Sequence, residues 1–274
     1  MSFVAANDAP RSSVQRVLVL GAGYTGREVL RRAHELGLEA VGSVRRPEQA
    51  SALAEIGAHA LVLPELDASL ARHVDAHTHV VVAFPPDGAT DARIAPLLAS
   101  AAAVTYVSST SVYGGTQGRI DDTTPVPPPT ADTSPRLDAE ALYLALGGTV
   151  LRCPGIYGRE RGLHRRIMRG EYSIPGDGSA VLSRIHVYDL ASFVLASPRA
   201  PGQVFVVGDL QPATHRELVA WICTTYAVPL PSSASGRSQR SLLANRAIDS
   251  ERARRRLGVE LRYPTFREGM SPGA

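Results

Sequence analysis

Residues 21–26, which read GAGYTG, constrain the fold of this chain more than any other segment. They follow the apolar run RVLVL and open a stretch, YTGREVLRRAHELG, in which apolar residues recur at helical spacing. A G-x-G-x-x-G sequence between a strand and a helix is typical of the loop that binds the pyrophosphate of a dinucleotide. Gly21 permits the tight turn, Gly23 lets the backbone approach the phosphates, and Gly26 allows close helix packing. The predicted dinucleotide-binding residues of this loop are Gly21, Gly23, Tyr24, Thr25 and Gly26.

Strands and helices alternate along the rest of the N-terminal half. After the first helix, which is predicted to end at Gly37, apolar runs of strand composition recur with helical segments between them. The predicted strands cover residues 39–46, 59–65, 78–86 and 103–110. Because this alternation is typical of βαβ units, we predict an α/β fold, a Rossmann doubly wound parallel sheet with a small C-terminal substrate-binding lobe.

Composition and pattern divide the chain into three parts. Residues 1–15 are polar, rich in small residues and aperiodic, which predicts a disordered N-terminus. Residues 16–158 form the predicted dinucleotide-binding core, and residues 159–274 a mixed region with the substrate lobe and the remaining core elements. Within the core, residues 114–135 are too rich in Pro, Gly and Thr for regular structure, so we predict a long functional loop there.

Charge and hydropathy argue against several classes of function. The chain has 29 Lys and Arg against 26 Asp and Glu, a formal net charge of +3, so no nucleic-acid partner is indicated. No apolar run reaches the roughly 18 residues that a membrane span needs, and no secretory signal is evident, so we expect a cytoplasmic protein without membrane association. Cys153 and Cys223 are far apart and suggest no disulfide. His77 and His79 lack a third ligand of matching spacing, so no metal is predicted.

The end of the second predicted strand bears on the choice of dinucleotide. NAD-selective sites usually present Asp or Glu to the ribose about twenty residues after the glycines. This chain has Ser43, Arg45 and Arg46 there and no carboxylate. A hydroxyl and two guanidinium groups suit a 2′-phosphate, because Arg binds phosphate in a bidentate, charge-assisted way. The sequence therefore favours NADP, with NAD as the alternative, unless the two arginines merely form a solvated strand end.

Four further segments resemble a known family. They are VSSTSVYGG (107–115), AEALYLALGGTVLRCPGIYGRER (139–161), SRIHVYDLA (183–191) and LGVELRYPTFREGM (257–270). Together they resemble the extended and atypical short-chain dehydrogenases/reductases of the NAD(P)-dependent epimerase/dehydratase group. The likeness runs from about residue 16 to residue 270, almost the whole chain, and implies a Rossmann fold, a nicotinamide cofactor and oxidoreductase chemistry.

The resemblance implies both a retained and a missing catalytic group. In the family, a Ser or Thr at the end of the fifth strand hydrogen-bonds the reacting oxygen, and here that position is Ser109. A Tyr-x-x-x-Lys pair normally follows, but counting back from Glu140 places Arg136 at the Lys position and Asp132 at the Tyr position. The usual proton carrier is therefore absent, and Tyr113, after the fifth strand, is the predicted replacement. Packing of Tyr113 against the long loop is the alternative.

Other segments of the resemblance imply contacts with cofactor and substrate. The residues implied to line the nicotinamide are Phe84, Pro85, Pro86, Pro154, Gly155 and Ile156, and Ser108 is predicted to join them in binding the cofactor. Ordinary strand-end turns are the alternative. The predicted substrate-binding residues are Tyr157, Arg159, Arg161 and Arg165. They begin a cluster of basic side chains at residues 159–169, which could hold an anionic substrate, such as a sugar nucleotide or a carboxylate, or form a solvated helix face.

Three functions follow from these features. The leading hypothesis is an NADP-dependent reductase or dehydrogenase that acts on a small organic substrate as a monomer or homodimer. A sugar-nucleotide epimerase or dehydratase is the nearest alternative, although it normally requires the missing tyrosine to begin the oxidation of a sugar hydroxyl. A non-catalytic NADP-binding sensor or scaffold is the third, favoured by the same loss and disfavoured by the retained Ser109.

Overall fold

A parallel sheet forms the centre of the molecule in the computed structural model, which describes residues 14–234 and 245–274. Its strands are β1 (Arg16–Leu20), β2 (Glu39–Val44), β3 (His59–Val62), β4 (Thr78–Val82), β5 (Ala103–Ser109), β7 (Thr149–Cys153) and β12 (Val204–Val206). They lie in the order β12-β7-β5-β4-β1-β2-β3, and every neighbouring pair is parallel. The strand order reverses between β1 and β4, which is the position of the ligand crevice in doubly wound sheets. The predicted Rossmann fold is confirmed.

Helices pack on both faces of this sheet and in a smaller lobe beside it. They are α1 (Tyr24–Glu35), α2 (Ser51–Ala54), α3 (Ala89–Ile94), α4 (Ser134–Ala145), α5 (Leu163–Met168), α6 (Val187–Ala196), α7 (His215–Tyr226), α8 (Glu251–Leu257) and α9 (Phe266–Gly269). Val17 and Val19 of β1 pack in one core with α1, α6 and α8, whereas Leu18 and Leu20 pack in a second core with α3 and α4. This division follows from the two-residue period of a strand, which sends alternate side chains to opposite faces.

The remaining strands are short and pair two by two. They are β6 (Gly118–Ile120), β8 (Gly155–Tyr157), β9 (Ile174–Pro175), β10 (Val181–Leu182), β11 (Arg184–His186), β13 (Ala213–Thr214), β14 (Ser233–Ala234) and β15 (Arg246–Ile248). The prediction of a loop without regular structure at 114–135 is wrong for residues 118–120, since β6 pairs in parallel with β15. Pairing with a segment so distant in sequence overrides the local Gly-rich composition.

A third, smaller core lies beside the carboxyl end of the sheet. Its buried residues come from β8, β9 and the helices α5, α7 and α9, among them Tyr157, Ile167, Leu218 and Phe266. This lobe faces the ends of β5 and β7 and positions the candidate site. No helix within the described residues is long and apolar enough to cross a membrane. Most of the predicted N-terminal segment, residues 1–13, lies outside the described residues.

Candidate active site

The glycine loop is shaped by its own packing. Gly21 adopts a φ of 93°, and its N–H donates to Ser43 Oγ at 3.1 Å, which joins the loop to the end of β2. A Cβ on Gly26 would lie 2.5 Å from the carbonyl oxygen of Gly21, and a Cβ on Gly21 would lie 3.0 Å from the backbone nitrogen of Phe84. A Cβ on Gly23 would meet nothing within 4 Å. Two glycines are thus required by the fold, whereas Gly23 leaves open space at the N-terminus of α1, where an anion can approach.

Two exposed arginines follow β2. The backbone N–H groups of Arg45 and Arg46 both donate to Gln49 Oε1 at 3.1 Å, which fixes the turn. Arg46 Nε lies 3.2 Å from Glu48 Oε1, in an ion pair whose two side chains are mostly exposed. Ser43, by contrast, is buried under the loop. Both guanidinium groups are therefore at the surface, next to the end of the strand that bears Ser43.

A cleft of about 1070 Å³ opens between the carboxyl ends of β5 and β7 and the smaller lobe. The predicted site residues that line it are Ser109, Pro154, Gly155, Ile156, Tyr157, Arg161 and Arg165. Arg161 also lies over the ring of Tyr24, with its Cζ 5.4 Å from the ring centroid, so the cleft adjoins the glycine loop. Burial raises the pKa of Tyr24 to about 12. Phe84 lies against Gly21, and Pro85 and Pro86 follow it outside the cleft.

Ser109 and Tyr113 occupy different environments. Ser109 lines the cleft, and its Oγ accepts a hydrogen bond from the N–H of Ser111 at 3.1 Å. Tyr113 is fully buried and does not line the cleft. Its hydroxyl accepts from Arg152 Nη1 at 3.2 Å and lies 3.4 Å from the carbonyl oxygen of Asp121 in the long loop, and burial raises its pKa. The hydroxyl of Tyr113 is therefore bonded inside the protein, which favours the alternative interpretation, packing against that loop, over a proton-donor role.

A buried ion pair lies behind Ser109. Arg152 of β7 donates from Nη2 to Glu140 Oε2 at 2.6 Å and from Nε to Oε1 at 3.1 Å. Ser108 donates from its hydroxyl to Glu140 Oε1 at 2.5 Å. These contacts fix the ends of β5 and β7 to α4. The Ser108 side chain, which we predict to bind cofactor, is already bonded to Glu140 in this interior network.

The residues at the positions predicted for the family's Tyr and Lys are separated by the start of α4. Asp132 lies just before the helix and lines the cleft together with Ser109. Arg136 lies in the first turn of the helix and donates from Nη1 to the hydroxyl of Tyr106 at 3.4 Å. A carboxylate therefore lines the cleft at the predicted position of the tyrosine, and the side chain at the predicted position of the Lys bonds to a core tyrosine.

The basic cluster is mostly engaged in local contacts. Arg165 Nε donates to the carbonyl oxygen of Arg159 at 2.7 Å, and Arg169 pairs with Glu171 at 2.9 Å. Arg159 itself is 82% exposed in its side chain and does not line the cleft, so the structure does not place this predicted residue near a bound substrate.

Two further arginines of the cleft were missed by the sequence analysis. Arg246 is buried and donates to the carbonyl oxygens of Thr110 at 2.6 Å and Thr116 at 2.8 Å, as well as to that of Gly114. Arg184 is also buried and lines the cleft from β11. Both are charged residues at the start of short strands that only tertiary pairing defines, although the charge of Arg184 within the motif SRIHVYDLA is a signal that could have been used.

No group of three or more His, Cys, Asp or Glu that could hold a metal occurs in the described ranges, 14–234 and 245–274.

Comparison with protein-family models and with curated proteins gave no match. Solved structures, however, are similar over nearly the whole chain. A functionally unknown conserved protein from Silicibacter pomeroyi DSS is 31% identical, with 94% of this chain and 97% of that chain covered and a TM-score of 0.81.

Two other solved structures resemble the chain. A protein from Methylobacillus flagellatus assigned as an NAD-dependent epimerase/dehydratase is 26% identical, with 94% and 96% of the two chains covered and a TM-score of 0.73. MoeE5, solved in complex with UDP-glucuronic acid and NAD, is 23% identical, with 93% and 96% covered and a TM-score of 0.76, a likeness of fold. These similarities show that the chain shares the fold of NAD-dependent epimerase/dehydratase proteins, which is consistent with the extended and atypical short-chain dehydrogenases/reductases that its glycine loop and ordered motifs resemble.

Proposed function

We propose that this protein is an NADP(H)-dependent oxidoreductase that acts on a small organic substrate in the cleft. The observation that carries the proposal is the glycine loop. It lies where the strand order reverses, it leaves open space at Gly23, and it adjoins the cleft through the contact of Arg161 with Tyr24. Dinucleotides bind at this place in doubly wound sheets.

The chain offers residues for each part of the cofactor. The pyrophosphate would bind at the N-terminus of α1 beside Gly23, Tyr24 and Thr25, where backbone N–H groups lack helical partners. Arg45 and Arg46 would hold the 2′-phosphate. The nicotinamide would lie near residues 154–156, which border the cleft. When bound, the nicotinamide supplies or accepts a hydride.

The residues of the cleft then orient the substrate and move a proton. Reduction of a carbonyl or imine adds a hydride to carbon and a proton to oxygen or nitrogen. Ser109 binds that oxygen or nitrogen through its hydroxyl. Solvent water in the cleft supplies the proton, and Asp132 can relay it by taking up a proton from water and passing it to the substrate. Tyr113 holds Arg152 in the interior and takes no part in the transfer.

The test is turnover of NADPH by the purified protein with a panel of carbonyl, imine and sugar-nucleotide compounds, followed by the loss of absorbance. Calorimetry on the same sample gives the affinity for NADPH. Binding with turnover of at least one compound supports the proposal. Tight NADPH binding without turnover of any compound would instead indicate the non-catalytic sensor or scaffold.

A sugar-nucleotide epimerase or dehydratase is the second candidate. The large cleft with several arginines favours it, since a sugar nucleotide is bulky and anionic, and the similar MoeE5 was solved with UDP-glucuronic acid and NAD. Such an enzyme would convert UDP-glucuronic acid with bound NAD and no net change in absorbance. Chromatography of the sugar nucleotide after incubation distinguishes this reaction from net reduction.

A further inference from the structure

Arg184 differs from the other arginines of the cleft in burial and in hydrogen bonding. It is 5% exposed and lines the cleft from β11, where it pairs in register with Gly155. Neither Nη1 nor Nη2 has a hydrogen-bond partner within the described part of the chain. Its Cζ lies 5.3 Å from the centroid of the Phe266 ring, so an aromatic face supports the guanidinium group.

The neighbouring arginines have other roles. Arg246 is bonded to three carbonyl oxygens, and Arg165 is bonded to a fourth. Arg166 donates to the carbonyl oxygen of Glu171 at 3.3 Å. Burial of a guanidinium group without partners is unfavourable, and groups in such a state cluster at functional sites. Among the arginines that line the cleft, Arg184 therefore combines burial with donors that have no partner in the described part of the chain, and a ligand on the inner wall could take up these donors.

Asp209 is the carboxylate that offers compensating charge to Arg184, but it does not satisfy the hydrogen-bond donors of the guanidinium group. It is 2% exposed, and its Oδ2 also lacks a hydrogen-bond partner. No ion pair links it to Arg184 among the described contacts, although each charge acts on the other. Burial raises the pKa of Asp209 to about 7, so near neutral pH it balances Arg184 only in part.

We infer that Arg184 is the residue that recognises an oxyanion of the substrate, a carboxylate or a phosphate, on the inner wall of the cleft. A guanidinium group presents two parallel N–H donors to two oxygens of one such group, and the ring of Phe266 holds its plane. This inference rests on the proposed function in one respect, that the substrate occupies this cleft. It assigns the substrate to the anionic class and assigns its recognition to a buried residue instead of the exposed cluster at 159–169.

The experiment compares charged and neutral probes of similar shape. Calorimetry measures malonate, inorganic phosphate and the neutral malonamide against the wild type, Arg184→Gln and Arg255→Gln, which removes an exposed charge of α8. We expect the wild type to bind malonate or phosphate at least tenfold more tightly than malonamide, a preference that Arg184→Gln abolishes and Arg255→Gln keeps. Preference for malonate identifies a carboxylate and preference for phosphate a phosphoryl group. Equal binding of all three probes by the wild type, or an unchanged preference in Arg184→Gln, would overturn the inference.

A second variant separates recognition from folding. In Arg184→Met the unpaired charge is replaced by an apolar side chain, so we expect the denaturation midpoint to be retained or raised. A large fall in the midpoint would show that the charge supports the fold, and would overturn the assignment. NADPH affinity, measured on the same samples, tests the proposed function independently. If the wild type fails to bind NADPH but keeps its preference for the anion, the proposed function is wrong and the oxyanion site stands.

Discussion

Single residues of the glycine loop should make separable contributions to the fold and to the proposed binding of the cofactor. A Cβ on Gly26 would clash with backbone at Gly21, whereas a Cβ on Gly23 would meet no protein atom. We expect Gly26→Ala to lower the free energy of unfolding by about 1–3 kcal/mol, the usual cost of overpacking. Gly23→Ala should leave the stability of the free protein unchanged and weaken NADPH binding at least tenfold, because the added methyl group occupies the predicted path of the pyrophosphate.

Urea denaturation and NADPH calorimetry on both variants measure these two effects. The pair serves as its own control, since both replace Gly by Ala in one loop. Wild-type NADPH affinity in Gly23→Ala would show that the dinucleotide does not approach the loop at this residue.

The surface arginines after β2 are predicted to set the preference between the two nicotinamide cofactors. Each charge-assisted contact with the 2′-phosphate contributes about 1.5–3 kcal/mol. We therefore expect Arg45→Ala and Arg46→Ala each to weaken NADPH binding tenfold or more and to leave NADH binding unchanged. Calorimetry with both cofactors measures the ratio. Equal affinities of the wild type for NADPH and NADH would contradict the inference that the residues at the end of β2 select NADP.

Substitution of Ser109 should lower activity, whereas substitution of Tyr113 should lower stability. Ser109→Ala removes the hydroxyl that faces the cleft, and we expect kcat to fall about a hundredfold or more at unchanged stability. Tyr113→Phe leaves a donor of Arg152 unpaired in the interior, so we expect a loss of about 1–3 kcal/mol in stability with kcat largely retained. Steady-state kinetics and urea denaturation give the comparison. If Tyr113→Phe abolishes turnover and keeps its stability, Tyr113 acts in catalysis and not only in packing.

At the scale of elements, the ion pair between β7 and α4 holds the carboxyl end of the sheet. Arg152 and Glu140 are 11% and 3% exposed in their side chains, so removal of the arginine leaves a buried carboxylate uncompensated. We expect Arg152→Met to lower the free energy of unfolding by about 3–5 kcal/mol. Urea denaturation measures it, with Arg119→Met as the control, because Arg119 is 71% exposed in its pair with Asp249 and should matter little. Equal effects of the two substitutions would contradict this assignment.

At the scale of the whole molecule, buried histidines tie stability to pH. Burial lowers the pKa of His79, His164 and His186 to about 4, below the ordinary value of 6.5. Between these values the unfolded state binds more protons, so stability is lost as the pH falls from 6.5 towards 4. Asp209 acts in the opposite sense, because its raised pKa of about 7 removes stability as the pH rises from about 4 to 7.

We expect His79→Gln to reduce the loss of stability between pH 7 and pH 4 by about 3 kcal/mol, since each pKa unit corresponds to about 1.4 kcal/mol. Denaturation at a series of pH values measures the slope. Comparison within the variant cancels the constant effect of losing the hydrogen bond between His79 and Thr105. An unchanged slope would show that His79 does not contribute to the acid sensitivity of the fold.

The sequence by itself determined the Rossmann architecture. The glycine loop between RVLVL and an amphipathic helix, and the alternation of strands and helices after it, are local patterns, and backbone geometry translates them directly into βαβ units. The ordered motifs also predicted that Ser109 and residues 154–156 belong to one site, and these residues do line one cleft.

Only the tertiary structure decided which side chains at the strand ends face the cleft and which face the interior. Ser109 is the last residue of β5, and Tyr113 follows four residues later. The hydroxyl of Tyr113 is nevertheless held in the protein interior by Arg152 of β7 and the carbonyl oxygen of Asp121. Arg184 lies deep in the cleft because β11 pairs with β8, and β6 forms because β15 lies beside it. Such burial depends on contacts between segments far apart in sequence, which local periodicity does not encode.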